Sequence, residues 1–322
     1  MPIRGNIVSR VETPLSEERE LWMCGIVGLH LKNPELQPCL GQLLTSMLEA
    51  MTTRGPDSAG IAVYSDAVSS DPTPLRYSLR SDQPIDWNLL GKRMASETAS
   101  EVRVRQLAAD SAVLVSPAAE ALFLAGVAHV APEVTVAGYG QSMVLVKDVG
   151  APADICARHG IPGWAGYQGV GHTRMATESA VTTAHSHPFA PAADLALVHN
   201  GSFSNYATIR RRLARDGVHC DTDNDSEVAA RLVAARLAEG AGLEDALKTV
   251  LKEMDGFFTL LVTTRTQFAV VRDSFACKPA VIAQTADYVA MASEYHALTG
   301  LPGIADAEVF EPMPEEIHLW SR

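Results

Sequence analysis

Cysteine is scarce and unpatterned: five occur in 322 residues, at 24, 39, 156, 220 and 277, with no CxxC spacing. An odd count without paired spacing excludes a disulfide framework and fits a reducing, cytoplasmic setting. It also leaves no zinc ribbon or cysteine-rich iron–sulfur cradle. Positive charge is short as well: 26 Lys and Arg stand against 38 Asp and Glu, a net charge of −12. Such a chain lacks the positive surface that sequence-independent nucleic-acid binding requires. Long apolar runs are missing. The most apolar window, 113–130, contains Pro117 and Glu120; it is too short and interrupted to span a bilayer and reads as a buried strand or helix. Residues 1–23 are polar and charged, without the apolar stretch of a secretory signal. Neither GxGxxG nor GxxxxGK[ST] occurs, so no nucleotide or dinucleotide is expected on this chain. No repeat of about 20–50 residues suggests a solenoid or propeller. What the chain does have is apolar residue, 47% against 20% charged, enough for a large core and incompatible with global disorder.

Patterning divides the sequence. CGIVGLHL at 24–31 is a glycine-punctuated apolar run, read as a buried strand. Apolar residues at 40, 43, 44, 47, 48 and 51 mark one helix face. A strand resumes at 61–64, followed by the turn-rich SDAVSSDPTP. Residues 87–107 look helical and 142–147 look like a strand. Helices are expected at 206–216, 227–239 and 243–254, with Gly240, Gly242 and Gly256 as breaks. Short apolar runs at 257–264, 267–272, 280–283, 288–292 and 317–320 then read as a meander. Strands at both ends with helices between imply sheets covered by helices, a layered α+β domain. One domain over 24–322, carrying an insertion at about 65–165 and preceded by a leader at 1–23, is the expected partition.

Chemistry concentrates in a few motifs: Met23-Cys24-Gly25-Ile26-Val27-Gly28, Arg54-Gly55-Pro56-Asp57, His172-Thr173-Arg174-Met175-Ala176-Thr177, His199-Asn200-Gly201 and Asp223-Asn224-Asp225-Ser226-Glu227. Cys24 follows a Met. Initiation at Met23 with Met removal, or loss of residues 1–23 as a propeptide, would leave thiol and α-amine on one residue. Such a residue supplies both nucleophile and base; otherwise Cys24 is a buried strand cysteine. Asn200 and Gly201 offer the donors of an oxyanion hole, and Asn-Gly is equally a hairpin signal. Arg174 is a carboxylate clamp or a surface ion pair. Asp225 is an ammonium acceptor or part of a cap, since Asn224 and Glu227 have capping-box spacing. Arg54 stands near the nucleophile or pairs with Asp57. His172, His185, His187 and His199 match no metal-binding spacing. His187-Pro188-Phe189 is read as shaping a loop near the pocket, and Cys277-Lys278-Pro279 as a structural turn with Cys277 buried.

Taken together, these motifs resemble the class II glutamine amidotransferases of the N-terminal nucleophile hydrolase superfamily. The resemblance spans about 24–65 and 168–300. Within the family the chain is most similar to the glutaminase-type subunit of N-methylglutamate synthase, a relative of the glutaminase domain of glutamate synthase. GVGHTRMATESAVTTAHSHPF, LVHNGSFSNY, NDSEVAA, VVRDSFACKPAV and YVAMASEYHAL carry that likeness.

The resemblance implies a four-layer α-β-β-α sandwich with a large insertion. It makes Cys24 the nucleophile, with its own α-amine as base, and Asn200 and Gly201 the oxyanion hole. Arg174, Asp225, Thr177 and Arg54 become substrate-binding residues for glutamine or a related γ-glutamyl compound. Met175 and Glu178 depart from the aromatic and histidine of sugar-amidating relatives, which argues against a hexosamine acceptor. No metal or cofactor is expected on this chain; FMN is expected on a partner, in a hetero-oligomer with FMN-binding and β-helical subunits. The alternatives are a solitary γ-glutamyl amide hydrolase and a non-catalytic scaffold whose nucleophile is blocked by residues 1–23.

Overall fold

The computed structural model describes residues 24–66, 73–175 and 182–322. The apolar run after Cys24 forms β1 (Gly25–Leu31), buried at every residue. α1 (Leu40–Ala50) follows, with Leu40, Leu44, Met47 and Leu48 buried at the helical spacing. Next come β2 (Ser58–Tyr64), β3 (Leu75–Ser81), α2 (Trp87–Thr98), β4 (Arg103–Ala108), β5 (Ser111–Ser116), α3 (Glu120–Val130) and β6 (Val134–Gly140). The chain continues through β7 (Met143–Val149), α4 (Pro152–Arg158), β8 (Gln168–Arg174), β9 (Ala196–Phe203), α5 (Tyr206–Arg215), α6 (Asp225–Ala238) and α7 (Leu243–Glu253). It ends with β10 (Gly256–Thr263), β11 (Gln267–Arg272), β12 (Val281–Gln284), β13 (Tyr288–Ala292), β14 (Glu308–Phe310) and β15 (Ile317–Ser321). Among the described residues no helix is long and apolar enough to cross a membrane.

The strands form a seven-stranded sheet in the order β14-β12-β13-β1-β8-β2-β7, and four-stranded sheets β15-β11-β10-β9 and β4-β5-β3-β6. Two-residue periodicity sorts β1 between two cores. Val27, Leu29 and Leu31 pack with α1, whereas Ile26 packs with Leu261 and Phe268 of the second sheet. The far face of that sheet, through Leu260, Val262 and Val271, packs against Leu213, Val228, Leu232 and Leu247 of the helices. The layers therefore run α-β-β-α, the four-layer sandwich expected. β1 is apolar without alternation because both of its faces are buried.

Within 65–165, β3 to β6 with α2 and α3 enclose a core of their own around Tyr77, Trp87, Met94 and Phe123. Tyr77 stacks on Phe123 with centroids 3.8 Å apart. β7 instead joins the large sheet as the partner of β2, and α4 packs on the outer face of that sheet. The helix expected over 87–107 stops at Thr98, because Ala99 is left-handed (φ 48°); Arg103–Ala108 is a strand paired with β5. The apolar window 113–130 is both a strand and a helix, divided around Pro117.

Gly28 sets how closely the two main sheets approach. A Cβ there would lie 2.3 Å from Leu261 Cδ2 and 2.9 Å from the Phe268 ring. Gly28→Ala is therefore expected to cost about 1–3 kcal/mol through overpacking, seen as a lower urea midpoint. An unchanged midpoint would show that the sheets can part without cost.

Candidate active site

Hydrogen bonds from both neighbouring strands fix the start of β1. Gly25 N–H donates to Thr173 Oγ1 of β8 at 3.2 Å, and Ile26 N–H donates to Ser293 Oγ, just after β13, at 2.9 Å. Cys24 itself is partly buried. Its carbonyl accepts from Asn200 Nδ2 at 3.0 Å and from Arg54 Nε at 3.2 Å. Arg54 is ion-paired with Glu294. Its turn lies directly on the end of β8: a Cβ at Gly55 would come within 2.6 Å of the Arg174 carbonyl carbon, and Asp57 N–H donates to Arg174 O at 3.1 Å. Arg174 is buried at that strand end. Cys24, Arg54 and Asn200 thus meet at one place, and Arg174 is stitched to the Arg54 turn. Thr177 and the leader at 1–23 lie outside the described residues.

Asn200 and Gly201 do not form the hairpin turn that Asn-Gly suggests. They sit within β9, opposite Thr259 and Phe258 of β10. Pairing with β10 continues to Phe203, and this tertiary ladder overrides the local turn preference. Gly201 has φ 146°, and a Cβ there would fall 2.0 Å from Phe257 O. Only glycine fits, and the residue stays exposed.

Half of the expected capping box exists. Asn224 caps α6 by accepting from Ser226 N–H at 2.8 Å. Glu227 turns instead to the preceding loop, accepting from Asp221 N–H at 2.8 Å and Thr222 N–H at 2.7 Å. Asp225 faces β9: one oxygen accepts from Phe203 N–H at 2.8 Å, the other from Ser226 Oγ at 3.2 Å. Ser226 Oγ is in turn 2.7 Å from His199 Nδ1. A chain of contacts from His199 therefore orients the Asp225 carboxylate. Ser226, Thr173, Ser293 and Glu294 were not singled out from sequence. The last two lie inside YVAMASEYHAL, where nothing local marks a contact with residues 24–54.

Burial pushes the Cys24 thiol above its ordinary range. The Met175 backbone N–H and the charges of Arg174 and Arg54 pull it down without offsetting burial. Arg54 thus favours thiolate, but Arg174 weighs more. A thiol held protonated at neutral pH needs a base to become nucleophilic.

His172, His187 and His199 cluster in the interior, with the His187 ring 4.0 Å from His172 and 6.3 Å from His199. His172 Nε2 donates to His199 O at 3.1 Å. His185 stands apart, bound to Thr182 and Asp223. The cis bond His187–Pro188 shapes the segment crossing β2, where a Cβ at Gly60 would strike His187 O at 2.0 Å. Among the described residues, the group spaced to hold a metal is elsewhere, at Asp110, Asp148 and His159; Arg80 and Arg158 already neutralise its carboxylates. Cys277 is exposed, not buried. Asp273 collects the Phe275 and Ala276 N–H groups, and left-handed Ala276 (φ 49°) turns the loop outward.

Comparison with known proteins identifies the family. The profile of the glutamine amidotransferase domain matches residues 172–300. The chain is 46% identical to the glutamine amidotransferase-like protein GlxB of Rhizobium meliloti, over 92% of this chain and 98% of that one. It is 32% identical to a putative glutamine amidotransferase of Methanothermobacter thermautotrophicus, over 90% and 97% respectively. Among solved structures, the glutamine phosphoribosylpyrophosphate amidotransferase from B. subtilis matches 93% of this chain with a TM-score of 0.58 at 18% identity. This chain spans 49% of that structure, so the likeness speaks for the fold alone. The fold is the class II amidotransferase form of the N-terminal nucleophile hydrolases. The chain belongs to the glutamine amidotransferase family.

The buried histidines make stability depend on pH. Burial, the largest cause, lowers His172 to about 3 and His199 to about 4, the latter against the pull of Asp225; His187 is lowered in the same way. Unfolded, each titrates near ~6.5. Below that pH the unfolded chain takes up protons that the folded chain refuses. Stability is then lost as pH falls from about 6.5 towards 4, by about 1.4 kcal/mol per unit for each such histidine. Urea midpoints at pH 7.5, 6.0 and 5.0 should fall in that order; a flat series would reject neutral buried histidines.

Proposed function

We propose that this chain is the glutamine-hydrolysing subunit of a glutamate synthase-like complex, with N-methylglutamate synthase as the complex it fits best. The observation that carries the reading is the Asn200 side-chain amide, which donates to the Cys24 backbone at 3.0 Å. On the same strand, the Phe203 N–H holds the carboxylate of Asp225. A donor for developing negative charge and a carboxylate able to accept an ammonium are thus both held by β9, the strand whose Asn200 reaches the Cys24 backbone.

In this reading the glutamine α-carboxylate is bound by Arg174, its α-ammonium by Asp225, and Thr177 and Arg54 complete the pocket. The Cys24 α-amine takes the thiol proton, through a water, and sulfur attacks the side-chain amide carbon. Asn200 Nδ2 and the Gly201 N–H hold the resulting oxyanion. Collapse expels ammonia, which leaves with the proton returned by the amine. Water then attacks the γ-glutamyl thioester, releasing glutamate and restoring the thiol. The raised thiol pKa makes such a base necessary, and the α-amine, near ~7.7–8.0, is well matched to operate at neutral pH.

Residues 1–23 precede Cys24 in the sequence, so its nitrogen is an amide until they are removed. That observation favours a second reading, a scaffold with a blocked nucleophile. Acceptor chemistry is assigned to partners, one carrying FMN and one β-helical.

Three variants and one truncation test the proposal. A chain beginning at Cys24 should release glutamate from glutamine, and the chain retaining 1–23 should not. Cys24→Ala should abolish release without loss of fold. Asn200→Ala should lower kcat roughly 10²–10³-fold. Arg174→Lys should mainly raise KM, because a point charge cannot replace a bidentate fork. Full activity in Cys24→Ala, or in a preparation whose chain still extends upstream of Cys24, would overturn the mechanism. Native mass spectrometry of the complex should find FMN on another subunit; an active monomer would sink the complex.

A further inference from the structure

A cavity of about 670 Å³ lies where the inserted unit meets the main body. Val136, Ala137 and Tyr139 of the inserted unit form one wall; Lys147, Phe189 and Glu227 belong to the other. Cys24, Arg174 and Asn200 are not among its lining residues.

Its charges are unevenly matched. Arg80 has Asp82, Asp110 and Asp148 within 3.6 Å. Arg231 reaches Asp221 at 2.6 Å and Glu227 at 3.2 Å. Glu227 also accepts from two backbone N–H groups and from Thr222 Oγ1. His185 is bound to Thr182 and Asp223. Lys147 differs. Its Nζ lies 4.7 Å from the centre of the Phe189 ring; among the described residues it has neither a hydrogen bond nor a carboxylate in ion-pair range. Burial lowers it to about 8, against the pull of Glu227. Lys147 is half-buried on the cavity wall, and among the described residues its ammonium has no carboxylate to balance it there, so a ligand anion would meet an uncontested cation.

We propose that this cavity is a second ligand site, taking a small monocarboxylate whose carboxylate meets Lys147 and whose apolar end lies against Phe189 and Ala137. One uncommitted cation matches one negative charge. A doubly charged phosphate would leave a charge unmatched beside Asp82, Asp221 and Glu227. The site stands on these contacts and does not require the glutaminase reading.

Competitive acetylation tests it on the full chain. Trace acetic anhydride is added with increasing propionate, pyruvate or inorganic phosphate, and each lysine is quantified by peptide mapping. A carboxylate at ten times its dissociation constant leaves roughly a tenth of the sites free, so Lys147 acetylation should fall about tenfold. Exposed Lys92 and Lys248 should be unaffected, and phosphate should not protect. Calorimetry with Lys147→Met, checked for native melting, should lose carboxylate binding. An unchanged Lys147 rate with both carboxylates, or equal protection by phosphate, overturns the proposal. None of these readouts involves glutamine turnover, so a failure of the glutaminase reading is seen separately.

Discussion

The site depends on how the first residues of β1 are held. The first residue of a strand is poorly held unless something other than its own ladder fixes it. Here Thr173 and Ser293, from opposite sides, take the N–H groups of Gly25 and Ile26, while Asn200 and Arg54 take the carbonyl of Cys24. Four segments far apart in sequence, around 54, 173, 200 and 293, are needed to immobilise one residue. That arrangement is expensive in chain entropy and is retained where the position of the residue matters.

Two opposing effects act on the thiol so positioned. Burial disfavours thiolate, whereas the Met175 N–H, Arg174 and Arg54 favour it, and burial prevails. The nearby histidines are poor candidates for the missing base. His199 is engaged with Ser226 and lowered by burial, and His172 donates to a backbone carbonyl. Their fixed contacts suit a second duty, holding β8, β9 and α6 in mutual register. In the proposed mechanism that base is the α-amine Cys24 would carry once residues 1–23 are gone.

Local pattern made much of this legible. β1, α1 and the helices α5 to α7 follow from apolar spacing and glycine breaks, because each buries one periodic face on the layer beneath. Pattern failed where tertiary pairing overrode it. Residues 103–108 look helical in isolation but have β5 to pair with. Asn200-Gly201 reads as a turn, yet β10 runs alongside it. Cys277 reads as buried, yet a left-handed alanine one residue earlier points the loop outward. The link from Glu294 to Arg54 spans 240 residues and leaves no local trace. Cys24-Gly25, Arg54-Gly55 and Asn200-Gly201 were conspicuous because each sets a reactive or polar side chain beside a glycine, whereas the supporting Ser, Thr and Glu partners carry no such flag.

α6 joins the two regions of the molecule that bear unmatched chemistry. Successive helical residues turn by about 100°, so positions two apart point to roughly opposite sides. Asp225 and Glu227 are such a pair. Asp225 turns to Phe203 and the nucleophile's strand. Glu227 turns to the Asp221–Thr222 loop and the cavity with Lys147. Asn224, which caps the helix, also donates to His185 O at 3.4 Å, and His185 lines that cavity. A shift of this first turn cannot move Glu227 without moving Asp225, since the helical hydrogen bonds make the turn one rigid piece. A ligand in the proposed site beside Lys147 would therefore bear on the same turn that carries Asp225, the carboxylate proposed to meet the substrate's ammonium.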